Sequence, residues 1–196
     1  FRDERLRKLQ ELQALRVNPY PATSKRTHQT AEIVDNFDSL EGQSVSVVGR
    51  VMNIRKFGKI AFVVLRDMSG EIQLFLSGAV TQPLDTSKGT LGMAELPLLD
   101  SGDFIQANGT VIRTKTGEIS VETHELILLT KALRPMPSKQ DGFTNKEERF
   151  RRRYVDMNVN LDVRDRFVRR SKFWQATRDF MQQEGFVELN NTVLEA

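Results

Sequence analysis

The chain has 196 residues, 39% hydrophobic and 28% charged, with a formal net charge of +3 and a pI near 9.3. That length supports one small core plus part of something further, and no apolar run approaches the ~20 residues of a membrane span. Zero cysteines and only two histidines, His28 and His124, leave no basis for disulfides, thiolate metal sites or a histidine-based catalytic centre. The small basic excess permits nucleic-acid binding without demanding it. Residues 1–20 read as a charged helix rather than a signal peptide. The expectation is a soluble, cytoplasmic protein with no membrane partner and no metal held by its own residues.

Arg2 to Val17 space Leu6, Leu9, Leu12 and Leu15 three apart among charged residues and glutamines, which predicts an amphipathic helix ended by Asn18-Pro19. Residues 20–40 read as an extended connection. From Ser44 the period becomes two, with Val45, Val47, Gly49 and Val51 alternating against Ser46, Val48, Arg50 and Met52. "IAFVVLRD" (Ile60 to Asp67), "IQLFL" (Ile72 to Leu76), "DFIQANGTVIRT" (Asp103 to Thr114) and "ISVETHELILL" (Ile119 to Leu129) predict further strands. Turn signals stand at Met68-Ser69-Gly70 and Lys115-Thr116-Gly117-Glu118. Five strands interrupted between the third and fourth by Ser77 to Ser101 describe a Greek-key oligonucleotide-binding (OB) barrel.

"KALRPMPSKQDG" (Lys131 to Gly142) reads as an extended linker. Beyond it, "EERFRRRYVD" (Glu147 to Asp156) gathers Arg149, Arg151, Arg152 and Arg153 around Phe150. Two roles suit them: pairing with acidic groups, for which Glu147, Glu148 and Asp156 are near in sequence, or contact with a nucleic-acid backbone. Asp162 is placed to cap a helix in which Val163, Phe167, Trp174, Thr177 and Met181 share a face, and Gly185 to close it in the left-handed conformation. "FVEL" (Phe186 to Leu189) then begins a strand. Such a tail must pack its apolar face on the barrel, on a second copy, or on residues outside the chain.

The fold class expected is therefore α+β. An amino-terminal helix and connection (1–40) precede an OB barrel (41–132), a linker (133–148) and an incomplete second domain (149–196). On the second strand Ala61, Val63 and Leu65 alternate with Phe62, Val64 and Arg66, and on the third Ile72, Leu74 and Leu76 alternate with Gln73 and Phe75. The aliphatic set suits the barrel interior, which leaves Phe62, Arg66, Gln73 and Phe75 outside, where an OB fold receives single strands. Periodicity alone allows two roles for Phe62, stacking on a base or packing beneath the amino-terminal helix or linker.

"GRVMNIRKFGKIAFVVLRDMSGEIQLFL", "TKTGEISVETHELILLTKALRPMP" and "EERFRRRYVDM" resemble, in that order and spacing, the amino-terminal region of class II lysyl-tRNA synthetases. The resemblance implies an OB domain that binds the tRNA anticodon, followed by the opening of a catalytic domain. The helix and strand ending in "GFVELNNTVLEA" are similar to class II motif 1, which builds the homodimer interface, and point to Phe167, Trp174 and Met181 of that helix as interface residues. Asn190 and Thr192 stand where that motif usually carries an acidic residue and a proline. Motifs 2 and 3, which hold ATP and the aminoacyl adenylate, are expected beyond Ala196. No catalytic residue is assigned here, and ATP and Mg2+ are expected only of a longer parent enzyme.

Carried over by position, Phe62 resembles the aromatic residue that stacks on the central anticodon uridine and Gln73 the amide that reads its edge. Arg55 resembles a cationic contact and Glu118 a nearby carboxylate. Simple parity places Arg55 on the inward side of the first strand, so a bulge or sharp bend must re-aim it. Lys56 and Lys59 are expected to contact phosphates, which position a strand without specifying it. The implied partner is a tRNA with a lysine anticodon. The alternatives are a non-catalytic OB module that binds RNA and, within the class, an aspartyl- or asparaginyl-tRNA synthetase; "TKTGE" and "LTKALRPMP" look lysyl-like.

Overall fold

A computed structural model describes residues 1–137 and 143–189. The chain divides into two compact units, one spanning Phe1–Pro135 and the other starting at Met136. Each is described by itself.

The first unit is built on strands β1 (Ser44–Phe57), β2 (Ile60–Arg66), β3 (Glu71–Ser77), β4 (Thr90–Leu91), β5 (Phe104–Arg113) and β6 (Ile119–Thr130). The sheet runs β3-β2-β1-β5-β6-β4, and a parallel pairing of β3 with β6 closes five of the strands into the expected OB barrel. The sixth, β4, is a two-residue addition paired to the outside of β6, within the stretch from Ser77 to Ser101. Closure removes every free edge among the five, so each strand must bury one face and show the other. Ala61, Val63 and Leu65 of β2, with Leu74 and Leu76 of β3, have no solvent exposure, and Val47, Val51, Ile105, Val111, Val121, Leu126 and Leu128 complete the interior. Gly109 of β5 stands opposite a bulge at His124 of β6, where an added Cβ would meet the Glu122 carbonyl at 2.0 Å, so only glycine lets β6 approach there.

Helix α1 (Arg2–Ala14) is shorter than the leucine spacing predicts. Arg16 takes φ +59°, while the Arg16 and Val17 amides donate to the carbonyls of Gln13 and Leu12. This Schellman closure buries Val17 with Leu12 and leaves Leu15 exposed. The buried face is Arg5 and Leu12 rather than a stripe of four leucines.

The connection expected to be extended from residue 20 to 40 instead holds α2 (Thr30–Asp35) and α3 (Phe37–Leu40), which bury Ile33 and Phe37. Side chains supply what short helices lack. Gln29 and Glu32 form a capping box, and Asp67, in the β2–β3 turn, accepts from the Thr30 amide at 2.9 Å and its hydroxyl at 2.7 Å. The Asp67 Oδ1 also accepts from the Ser69 amide and hydroxyl, both at 2.7 Å. Burial, the largest single influence on this carboxyl, pushes its pKa up, but the bonds from Ser69 and Thr30 outweigh it and hold it at about 2 against the ordinary 3.8. A depressed carboxylate contributes stability that is present above its unfolded pKa and lost as pH falls towards the folded value. Urea melts of the native chain should therefore weaken between about pH 4 and pH 2. Asp67→Asn should be less stable than the native chain at neutral pH but converge with it at the acid end of that window; a constant difference across it would contradict the linkage.

The second unit contains α4 (Lys146–Arg151), α5 (Arg153–Val159) and α6 (Leu161–Gln183). Asn160, not Asp162, occupies the N-cap of α6, and Asp162 lies in the first turn, where it pairs with Arg166 at 3.0 Å. Its charge still favours the helix start. Gly185 has φ +85° as expected, with its amide donating to Gln182 and the Phe186 amide to Met181. Phe186 to Leu189 carry no regular secondary structure. Asn190 and Thr192, like residues 138–142 of the expected linker, lie outside the described residues.

Candidate nucleic-acid interface

A bulge at Met52 sets which side chains face outward. Val51 pairs with Leu65 but Asn53 pairs with Val64, so Met52 is an extra residue in β1 and parity reverses beyond it. Asn53, Arg55 and Phe57 consequently point outward. This is the re-aiming that Arg55 required.

Past the bulge the strands form rungs across the barrel wall. One runs Asn53, Val64, Gln73, Ser120, and the next Arg55, Phe62, Phe75, Glu122. Phe62 and Phe75 are half-buried, with ring centroids 5.5 Å apart, and Phe57 approaches Phe62 edge-on at 6.3 Å. Aromatic pairs at such spacing hold one another in place. The result is a fixed apolar platform beside Arg55, the cross-strand partner of Phe62.

The Gln73 amide is pre-oriented. Its Nε2 donates to Ser120 Oγ at 3.0 Å, and that hydroxyl donates to the Glu118 carbonyl at 3.4 Å, so Oε1 is left as the acceptor of this amide. Glu118 belongs to the β5–β6 turn, where its carbonyl accepts from the Thr114 amide at 2.9 Å and Gly117 takes φ +88°. Its side chain is exposed. The structure thus brings Arg55, Phe62, Gln73 and Glu118 to one wall and adds Phe57, Phe75 and Ser120.

Lys56 and Lys59 are exposed at the β1–β2 hairpin tip, where Phe57 pairs with Ile60 across Gly58-Lys59. Positive φ falls on Gly58 (+58°) and not on Lys59, the arrangement of a type II′ turn. Arg55, Lys56 and Lys59 form no ion pair among the described residues. No close carboxylate among the described residues neutralises them. Arg66, an outward cation of β2, is paired with Glu71 through Nε at 2.6 Å.

The arginine run behaves differently. Asp156, fully buried, receives Arg149 Nε at 2.9 Å, Arg153 Nη1 at 2.5 Å and Asn160 Nδ2 at 2.6 Å. Burial pushes its pKa up, but the bonds from Asn160 and Arg149 and the nearby guanidinium charges prevail and lower it. Arg151 pairs with Glu147 at 2.8 Å and Arg152 with Glu148 at 3.1 Å, while the Arg153 guanidinium lies 4.6 Å from the Phe150 ring. Of the two roles open in sequence, this is pairing, with the three acidic residues nearby. Phe167, Trp174 and Met181 lie seven apart along α6 and are 39%, 50% and 39% exposed, beside the still more exposed Phe173 and Phe180.

Residues 45–129 match the model of the OB-fold nucleic acid binding domain family. Over 192 residues the chain is 38% identical to the lysine–tRNA ligase of Clostridium botulinum, which covers 97% of this chain and 37% of that protein. It is 39% identical over 193 residues to the lysine–tRNA ligase of Carboxydothermus hydrogenoformans (97% and 38%) and 41% identical over 201 residues to that of Thermosynechococcus vestitus (100% and 39%). The chain therefore spans between 37% and 39% of the length of these curated relatives.

Proposed function

We propose that this chain, a member of the OB-fold nucleic acid binding family and a homologue of the lysine–tRNA ligases over nearly its whole length, uses its outer barrel wall to bind a tRNA anticodon. The observation that carries this reading is the rung Arg55–Phe62–Phe75 lying against the Gln73–Ser120–Glu118 chain of hydrogen bonds. A uridine offers two carbonyl acceptors and one imide donor. With its ring on Phe62, its N–H is matched by Gln73 Oε1, already oriented by Ser120, and a carbonyl by the Arg55 guanidinium. Glu118 supplies an acceptor for the amino group or ribose hydroxyl of a neighbouring nucleotide. Lys56 and Lys59 meet phosphates.

The intact enzyme to which this region belongs would attach lysine to tRNA with ATP and Mg2+, act in the cytoplasm and dimerise through the face bearing Phe167, Trp174 and Met181. Among the described residues no three acidic or histidine side chains are grouped to hold a metal, so no step of that reaction is assigned to them. Among the described residues no helix is long and apolar enough to cross a membrane. The homology to lysine–tRNA ligases supports the lysyl reading over the aspartyl and asparaginyl ones. Sedimentation should show self-association; a strictly monomeric chain at high concentration would remove the dimer proposal.

Filter binding against tRNAs differing only in the anticodon tests the main reading. Preference for the lysine anticodon is expected, and equal binding to all of them would defeat it. Lys59→Ala should lower the slope of log K against log salt by about one unit while leaving the preference among anticodons intact, because a phosphate contact releases counterions without reading a base. An altered preference would mean that Lys59 touches a base.

A further inference from the structure

Phe57 is the aromatic residue on this wall for which the anticodon reading gives no task. It is 58% exposed at the end of β1, outward by the Met52 bulge, and flanked by Lys56 and, across the tight turn, Lys59. An isolated exposed phenylalanine carries no information. This one, however, extends a contiguous series in which Phe75, Phe62 and Phe57 follow at centroid separations of 5.5 and 6.3 Å. The Phe57–Phe62 planes meet at 65°, so the pair uses one ring face where a stacked pair would use two. Phe57, at 58% exposure, is the most open of the three rings.

We propose that Phe57 is a second stacking platform, which takes the nucleobase adjacent to the one on Phe62 and so makes this wall bind two consecutive bases of a single-stranded loop. The proposal rests on the anticodon reading of Phe62. The occupant is RNA rather than a protein because Arg55, Lys56 and Lys59 neighbour Phe57 on the β1–β2 hairpin and form no ion pair among the described residues, which complements a phosphate backbone passing over an exposed aromatic ring. Stacking is indifferent to base identity, since every base has a π-face. Phe57 would therefore add affinity and fix the register of the loop, and Gln73 would read the identity of the central base.

The test uses the full 196-residue chain and three RNA hairpins bearing the same lysine anticodon loop: intact, abasic one position 5′ of the central uridine, and abasic one position 3′ of it. Fluorescence anisotropy gives the affinities. Phe57→Leu, which keeps an apolar side chain, should weaken binding to the intact loop by roughly tenfold, equivalent to about 1.4 kcal/mol. On one of the two abasic loops the same substitution should have no effect, because the partner base is already gone. Equal weakening on all three hairpins would assign Phe57 to the stability of the hairpin tip and overturn the proposal. So would no weakening on any of them. Phe62→Leu separates the two levels: if it weakens binding and Phe57→Leu does not, the anticodon reading survives alone, and if neither does, the reading itself fails.

Discussion

Lys131→Ala is expected to remove about 3–5 kcal/mol from the stability of the barrel unit, because it breaks a buried ion pair by deleting one partner. The Lys131 side chain has no solvent exposure, and its Nζ donates to Asp103 Oδ2 at 2.8 Å and Asp100 Oδ2 at 2.5 Å. Asp103, equally buried, also accepts from the Ala132 amide at 2.7 Å and the Asp100 amide at 2.8 Å, while Asp100 receives Lys8 of α1 at 2.7 Å. Arg5, largely buried, adds bonds to the carbonyls of Ala132 at 2.8 Å and Ser101 at 2.9 Å. Without the ammonium, the buried Asp103 and the partly exposed Asp100 are left with only the more peripheral cations. The double variant Lys131→Met with Asp103→Asn removes both charges of the inner pair and should recover much of the loss. Hydrogen exchange of barrel amides is the suitable readout, since the single tryptophan, Trp174, reports on the other unit. A Lys131→Ala variant within about 0.5 kcal/mol of the native chain, the range of an ordinary surface substitution, would show that the network is not a determinant of the fold.

The same network has an acid limit. Burial raises the Asp100 pKa, but the hydrogen bonds from Lys131 and Lys8 and their charges prevail and lower it. Its contribution is therefore present above the unfolded carboxyl pKa and lost as pH falls through the depressed folded one.

How far the sequence discloses these features depends on how local their causes are. The inward sets of β2 and β3 are legible because barrel closure imposes strict alternation, and Ala61, Val63 and Leu65 are all small enough to obey it. Arg55 is not legible by the same rule, since the bulge at Met52 adds one residue with no glycine or proline to mark it. Ser120 orients Gln73 from 47 positions away, through a parallel pairing that exists only once the barrel has closed. Lys131 stands beside prolines and so reads as the start of a linker, whereas its two carboxylate partners lie 28 and 31 positions earlier. The helix at Thr30 is hidden for a similar reason: its amide donors are met by Asp67 and Ser69 of a distant turn, and glutamine is an uncommon opening for a capping box. For the arginine run the sequence leaves two roles open, although the carboxylates it pairs with sit within one or two helical turns.

Phe62→Ala should weaken RNA binding by about 1–3 kcal/mol with almost no change in salt dependence, because stacking is not ionic and no phosphate contact is lost. Gln73→Ala should act on another quantity, discrimination at the central uridine, since it leaves an imide N–H without its acceptor and Ser120 without its donor. The two variants therefore separate the platform from the reader, provided the barrel stays folded. That condition is favourable on geometric grounds: Phe62 is half-buried on the outer wall, and the residues that fill the interior of β2 are its neighbours Ala61 and Val63. Binding isotherms over a salt series, taken beside urea melts of the same preparations, decide the matter. If Phe62→Ala unfolds the barrel by several kcal/mol while the remaining folded protein binds RNA unchanged, the ring is a packing residue for Phe57 and Phe75, and the RNA-binding surface lies on another part of the barrel.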